Sequence, residues 1–180
     1  MAELVIPSVA YRDSYLDALK EGFVHGGQKT MDKKLITWIT ENFEEHLKIL
    51  MHGNPKKEIK FPDGNKYPRV ENRIYWLVEN NIFIGQSSFR PQLNEFLKKW
   101  GGNIGYGVRP LYKRQGMGKK LLNLTLEYVK LAGLSKVLIT CDDDNIGSIK
   151  IIEASGGVLE KTVKYEWAEK PLRLYWLSVL

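Results

Sequence analysis

Asn103–Lys120 reads NIGYGVRPLYKRQGMGKK. An extended apolar run ends at Pro110, a short basic turn follows, and Gly-Met-Gly opens a helix. A turn of this kind leaves backbone N–H groups unpaired at a helix N-terminus, where the aligned peptide dipoles favour an anion. Downstream, the helical pattern spans 116–132. Lys120, Asn123, Glu127 and Lys130 recur at helical spacing, and Leu121, Leu122, Leu124, Leu126, Val129 and Leu131 supply a broad apolar face. Gly133 suits the position just past the helix end. Lys136–Cys141, KVLITC, is nearly unbroken in its apolar character, as a strand covered on both faces reads. Strand 104–108, helix 116–132 and strand 136–141 therefore predict one βαβ unit with a parallel strand pair.

Outside this unit, residues 3–6 read as a short strand stopped by Pro7, and Val9–Gly22 as a helix. His25–Thr30 is a polar, Gly-rich loop. Asp32 caps a second helix that runs to Gly53, with Leu35, Ile36, Ile39, Phe43, Leu47 and Leu50 at helical spacing. His46, on a charged stretch of it, reads as surface. Residues 54–72, with three prolines and many charges, read as a long loop. Arg73–Val78 and Ile82–Phe89 form a hairpin turned at Glu79-Asn80-Asn81. Pro91–Trp100 has room for one or two helical turns. Asn145–Ser155 is a helix closed by Gly156-Gly157, and 158–167 with 172–179 make a last hairpin.

The 180 residues suit one domain, and 43% apolar residues suffice for a core. Lys and Arg number 27 against 21 Asp and Glu, a net charge of +6 that fits a phosphorylated ligand or a solvated basic surface. One cysteine, Cys141, excludes an internal disulfide and a multi-thiolate zinc site, and no metal is expected. No signal peptide and no membrane span is expected, which leaves a cytoplasmic protein.

Two phosphate cradles fail at this loop. A P-loop needs a glycine where Lys113 stands and a Ser or Thr where Lys120 stands. A dinucleotide fingerprint begins at Gly105-Tyr106-Gly107, but Pro110 takes its third glycine. Strand, Val108-Arg109-Pro110, basic loop, Gly116-Met117-Gly118 and leucine-rich helix instead resemble the cofactor-binding heart of the GNAT superfamily of acyl-CoA-dependent N-acyltransferases. Lys113-Arg114-Gln115-Gly116-Met117-Gly118 departs from the family signature [QR]-x-x-G-x-[GA] only at Lys113. A second region, KVLITCDDDNIGSIKIIEASGG, resembles the family's strand, Asn and helix, with Gly157 where Phe is usual.

The resemblance implies a mixed, mostly antiparallel α/β sheet with helices on both faces and a central parallel pair, 104–108 with 136–141. It implies acetyl-CoA as acyl donor. Backbone N–H groups from Arg114 through Gln115, Gly116, Met117 and Gly118 to Lys119 would hold the pyrophosphate, and small residues at 116 and 118 would let the backbone approach. Lys113, Arg114, Lys119 and Lys120 would add charge. Tyr106 and Val108 would pair through their backbones with the pantetheine arm, and Asn145 would bond it, with Ser148 one turn later. The acceptor would be an amine of a small molecule or a protein, the chain a monomer or homodimer, and nucleic acid and membrane would not be partners.

For the chemistry, the resemblance puts an oxyanion donor near Val108 N–H. The family tyrosine that protonates the thiolate corresponds to Ile152, and the family glutamate to Gly102 or Asn103. Asp142 and Glu95 are the remaining candidates for proton transfer. Cys141 reads as a core thiol. The aromatic residues of the first helices, the 54–72 loop and the last hairpin are candidates for the acceptor pocket. An acyl-CoA-binding sensor without turnover is the competing reading.

Overall fold

The computed structural model describes residues 1–26, 31–53 and 61–179. Its strands form two antiparallel sheets. The first has the order β1 (Glu3–Val5), β2 (Arg73–Glu79), β3 (Ile82–Phe89), β4 (Ile104–Val108). The second has the order β5 (Lys136–Asp142), β7 (Leu172–Ser178), β6 (Val158–Val163). The β2–β3 turn works because Asn80 and Asn81 both accept positive φ, 51° and 62°, which side chains other than Gly, Asn and Asp tolerate poorly.

Helices cover both faces of the first sheet. On one face α1 (Arg12–Lys20), α2 (Lys33–Glu41) and α3 (Phe43–His52) pack Tyr15, Leu16, Ile39, Phe43 and Leu47 onto Ile74, Trp76, Val78 and Phe83. On the other face α4 (Met117–Leu131) sets Leu121 against Leu77 and Ile84. It also sets Leu122 and Val129 among Phe89, Ile104, Val137 and Ile139, so one helix seals both sheets. α5 (Ile146–Ala154) adds Ile149 and Ile152 to that cluster. Among the described residues, no helix is long and apolar enough to cross a membrane.

Four expectations are corrected. The parallel pair 104–108 with 136–141 is not a ladder: β4 and β5 belong to different sheets. They meet at Asn103, whose N–H donates to Leu138 O at 2.7 Å and whose Oδ1 accepts Leu138 N–H at 2.8 Å, and beyond it no ladder joins them. The helix expected over 32–53 is two helices, broken at Asn42 (φ −125°, ψ 44°), whose Nδ2 donates back to Trp38 O. His46 is buried, not surface: it is 8% exposed and its Nε2 lies 3.1 Å from Tyr15 Oη. Pro91–Trp100 forms turns rather than a helix. Of the two expected loops, 27–30 and 54–60 lie outside the described residues.

Candidate active site

The geometry of the wedge between the sheets follows from strand register. Arg90 N–H bonds Asn103 O and Arg109 N–H bonds Ile84 O, both at 2.8 Å. Antiparallel hydrogen bonding alternates, so residues 103, 105, 107 and 109 turn their backbone groups toward β3. Ile104, Tyr106 and Val108 then turn theirs away, toward the second sheet. Gly26 N–H confirms the direction by donating to Tyr106 O at 3.3 Å. The segment carrying Gly26 lies close over β4 because position 107 has no side chain; a Cβ there would stand 2.2 Å from Val24 O.

At the C-terminal end of β4, a 3-10 turn at Pro110–Tyr112 leads into the loop and α4. The first helical bond is Lys120 N–H to Gly116 O at 3.0 Å, and no side chain caps the helix. The N–H groups of Met117, Gly118 and Lys119 thus have no intrahelical partner. Arg114 and Gly116 both have positive φ, 63° and 77°, which folds the loop into a concave run of amides. Lys113, Arg114 and Lys119 are exposed around it. Gly116, at positive φ, faces open space. Gly118 faces inward, where a Cβ would lie 2.6 Å from Ile151 Cδ1. Gly116 thus supplies a left-handed turn beside open space, and Gly118 also seats α4 on α5.

A cavity of about 210 Å³ opens in the wedge. His25, Tyr106, Cys141, Asp142, Asn145 and Ser148 line it. Asn145 caps α5, its Oδ1 accepting Ser148 N–H at 3.1 Å. Tyr106 Oη is buried and makes no hydrogen bond of full geometry, with Ser148 beside it; burial pushes its pKa up to about 12 although the Ser148 contact pulls the other way. Leaving such a group unpaired costs about 1–3 kcal/mol, which a ligand can recover. His25 bonds Ser88 Oγ through Nε2 at 3.1 Å, while its buried Nδ1 has no partner. Burial, aided by the charge of Arg90, lowers its pKa to about 4, so the ring is neutral at neutral pH. Burial pushes the Cys141 thiol up to about 12, which keeps it protonated and unsuited to covalent catalysis.

A sequence profile of the acetyltransferase (GNAT) domain matches residues 32–158, a span that holds β4, the loop, α4, β5 and α5. The chain belongs to the GNAT acetyltransferase family. No curated protein sequence matches it. Similar solved structures share its fold at low identity. One is an acetyltransferase from Salmonella typhimurium that modifies the N-terminal serine of ribosomal protein L7/L12, with 16% identity, a TM-score of 0.64, and 99% of this chain and 95% of that one covered. Mutant forms of the spermidine/spermine N-acetyltransferase SpeG from Vibrio cholerae give 12%, 0.59, 99% and 95%. The Salmonella typhimurium protein yncA, with acetyl-CoA as its cofactor, gives 15%, 0.56, 99% and 94%.

In this GNAT chain the expected cofactor residues fall into two places. Lys113–Lys119 form the loop and helix start; Tyr106, Asn145 and Ser148 line the cavity, and Val108 lies on the free edge between them. Asp142 also lines the cavity. Glu95 borders neither cavity and its carboxylate pairs with Lys98 at 2.6 Å. Ile152, at the family tyrosine position, is fully buried. The aromatic residues of the loop and last hairpin mostly stack on each other: Phe61, Tyr67, Phe96, Trp167, Tyr165 and Trp100 form one chain of ring contacts. Only Trp100 of these lines the smaller cavity, and Phe61 the larger one. Sequence reasoning missed His25, the Tyr106 hydroxyl and Arg90, because nothing local marks a histidine in a Gly-rich loop or a strand tyrosine as facing a cavity.

Proposed function

We propose that this GNAT domain transfers an acetyl group from acetyl-CoA to a primary amine by direct attack in a ternary complex. The observation that carries the reading is the free edge of β4 leading straight to the uncapped start of α4. A pyrophosphate fits the amides of Gly116–Lys119 with Lys113, Arg114 and Lys119 around it. An extended pantetheine arm fits the part of this edge that Gly26 leaves open, as an added strand would. The Tyr106 hydroxyl is the fit test at the far end: it is buried and makes no well-formed hydrogen bond within the protein, so an acceptor atom of the cofactor can serve it.

Acetyl-CoA would supply an activated acyl carbon in the wedge. Val108 N–H, on the edge facing it, stabilises negative charge on the carbonyl oxygen. Asn145 keeps its Nδ2 for the arm while Oδ1 caps α5. Tyr106 Oη–H donates toward the departing sulfur, the task that Ile152 cannot perform. A hydroxyl of such high pKa acts here by hydrogen bonding rather than full proton transfer. His25 and Asp142 are the groups on this cavity able to receive the ammonium proton.

The buried Ile152 is the one observation favouring a sensor without turnover. Calorimetric titration with acetyl-CoA, followed by free-thiol release over a panel of amines, separates the readings. Binding with release supports the transferase. Binding without release on every amine supports the sensor, and no binding overturns both.

A further inference from the structure

The larger cavity, about 820 Å³, lies beside α3 and the segment before β2. Its volume suits a small organic ligand. Leu50, Met51, Phe61, Val70, Ile74 and Leu97 give it an apolar wall. Arg69, Arg73 and Arg90 line it together with Glu71, whose carboxylate is held by Arg73 Nε at 2.6 Å. Asn72 Oδ1 on the same wall is buried without a partner.

Arg90 lines both cavities. Its Nη1 donates to Gly102 O at 3.3 Å, and among the described residues no carboxylate pairs with it. A guanidinium has five donors in a planar fork matched to a carboxylate, and leaving them unused in a half-buried place is costly. A polycationic amine would meet the Arg90 charge on this route, which disfavours it.

Building on the transferase reading, we propose that the acceptor is an α-amino acid with a large apolar side chain. Its carboxylate lies on Arg90 at the boundary, its side chain in the larger cavity and its amine in the smaller one. The α-amine and carboxylate share one carbon, so a carboxylate fixed at the boundary delivers the amine to the wedge. In the reaction the nitrogen bonds the acetyl carbon and the carbon–sulfur bond breaks. Of the ammonium's three protons one stays on the amide, one leaves with the thiol and one passes to solvent.

The test uses the full chain, acetyl-CoA and free-thiol release with L-phenylalanine, L-phenylalaninamide and spermidine. Calorimetry with acetyl-CoA comes first: absence of binding sinks the transferase reading itself, whereas binding leaves this proposal to stand or fall on the acceptors. The expected result is a kcat/KM for phenylalanine at least ten-fold above those of the amide and spermidine, although the amide's amine is the more readily deprotonated. Arg90→Met should lower the value for phenylalanine at least ten-fold more than that for the amide, and Arg90→Lys should fall between. Amide equal to acid, spermidine as the best acceptor, an acid preference that survives Arg90→Met, or no turnover of any of the three despite acetyl-CoA binding would each overturn it.

Discussion

Tyr106 and Gly116 each carry a demand that the protein does not itself satisfy. Tyr106→Phe removes a buried hydroxyl that makes no well-formed hydrogen bond, so the variant should be no less stable, and up to about 1 kcal/mol more so. Its kcat should nevertheless fall roughly ten-fold or more if the hydroxyl serves the leaving sulfur. Thermal melting beside thiol-release kinetics reads both, and a fully active Phe variant would remove the tyrosine from the mechanism. Gly116 stands at φ 77° over open space. Asn tolerates that conformation and Asp carries a negative charge, so Gly116→Asn should keep acetyl-CoA affinity while Gly116→Asp lowers it at least ten-fold through repulsion of phosphate. Equal affinities in the two, measured by calorimetry, would take the anion away from this loop. At this scale the sequence was informative where chemistry is local. The glycine spacing and basic residues of 113–120 announce a helix start for an anion, but the reason for Gly118 lies 33 positions away in Ile151.

Asn103 matters through the elements it joins. Its backbone and side chain bond Leu138 of β5, and its Nδ2 and C=O meet Arg90 beyond β3. The residue is 5% exposed, so Asn103→Ala strands a buried N–H and a buried C=O. We expect a loss of roughly 2–4 kcal/mol in urea denaturation. Activity should drop more than Tm predicts, because the wedge loses its apex. A variant as stable as the parent would show that the α4 packing alone sets the two sheets. The sequence marked both strands but misread their relation. Apolar runs reveal burial, whereas pairing depends on where one side chain diverts the ladder, and a single Asn carries no pattern. The same holds for Asn42, which breaks an otherwise continuous helical periodicity. The anchoring of α1 was equally hidden: Arg109, read only as part of a motif, binds Glu21 with Nε at 2.8 Å and Nη2 at 2.5 Å.

For the whole molecule, buried His46 and half-buried His25 tie stability to pH. Burial lowers His46 to about 4, and burial with the Arg90 charge does the same for His25. Unfolded, each takes a proton below about 6.5. The unfolded chain therefore holds more protons between those values, and stability is lost as pH falls from about 6.5 toward 4. For His46 the loss at pH 5 is about 2 kcal/mol. Melting temperature recorded from pH 7 to 5 should decline, and His46→Gln should flatten the decline; a level wild-type profile would refute the assignment. The two cavities belong to this scale too. Arg90, Asn72 and Leu50 come from separate parts of the chain, so no window of sequence could have shown them meeting at one wall.

The unpaired edge of β4 has a bearing on handling as well as on chemistry. Unpaired N–H and C=O groups on a strand are a template for another chain, and among the described residues only Tyr106 O is covered, by Gly26. Coenzyme A, lying along that edge, would then act as a protective strand. Purified without it, the protein should self-associate over time, and light scattering at equal concentration should show the oligomers receding when coenzyme A is added.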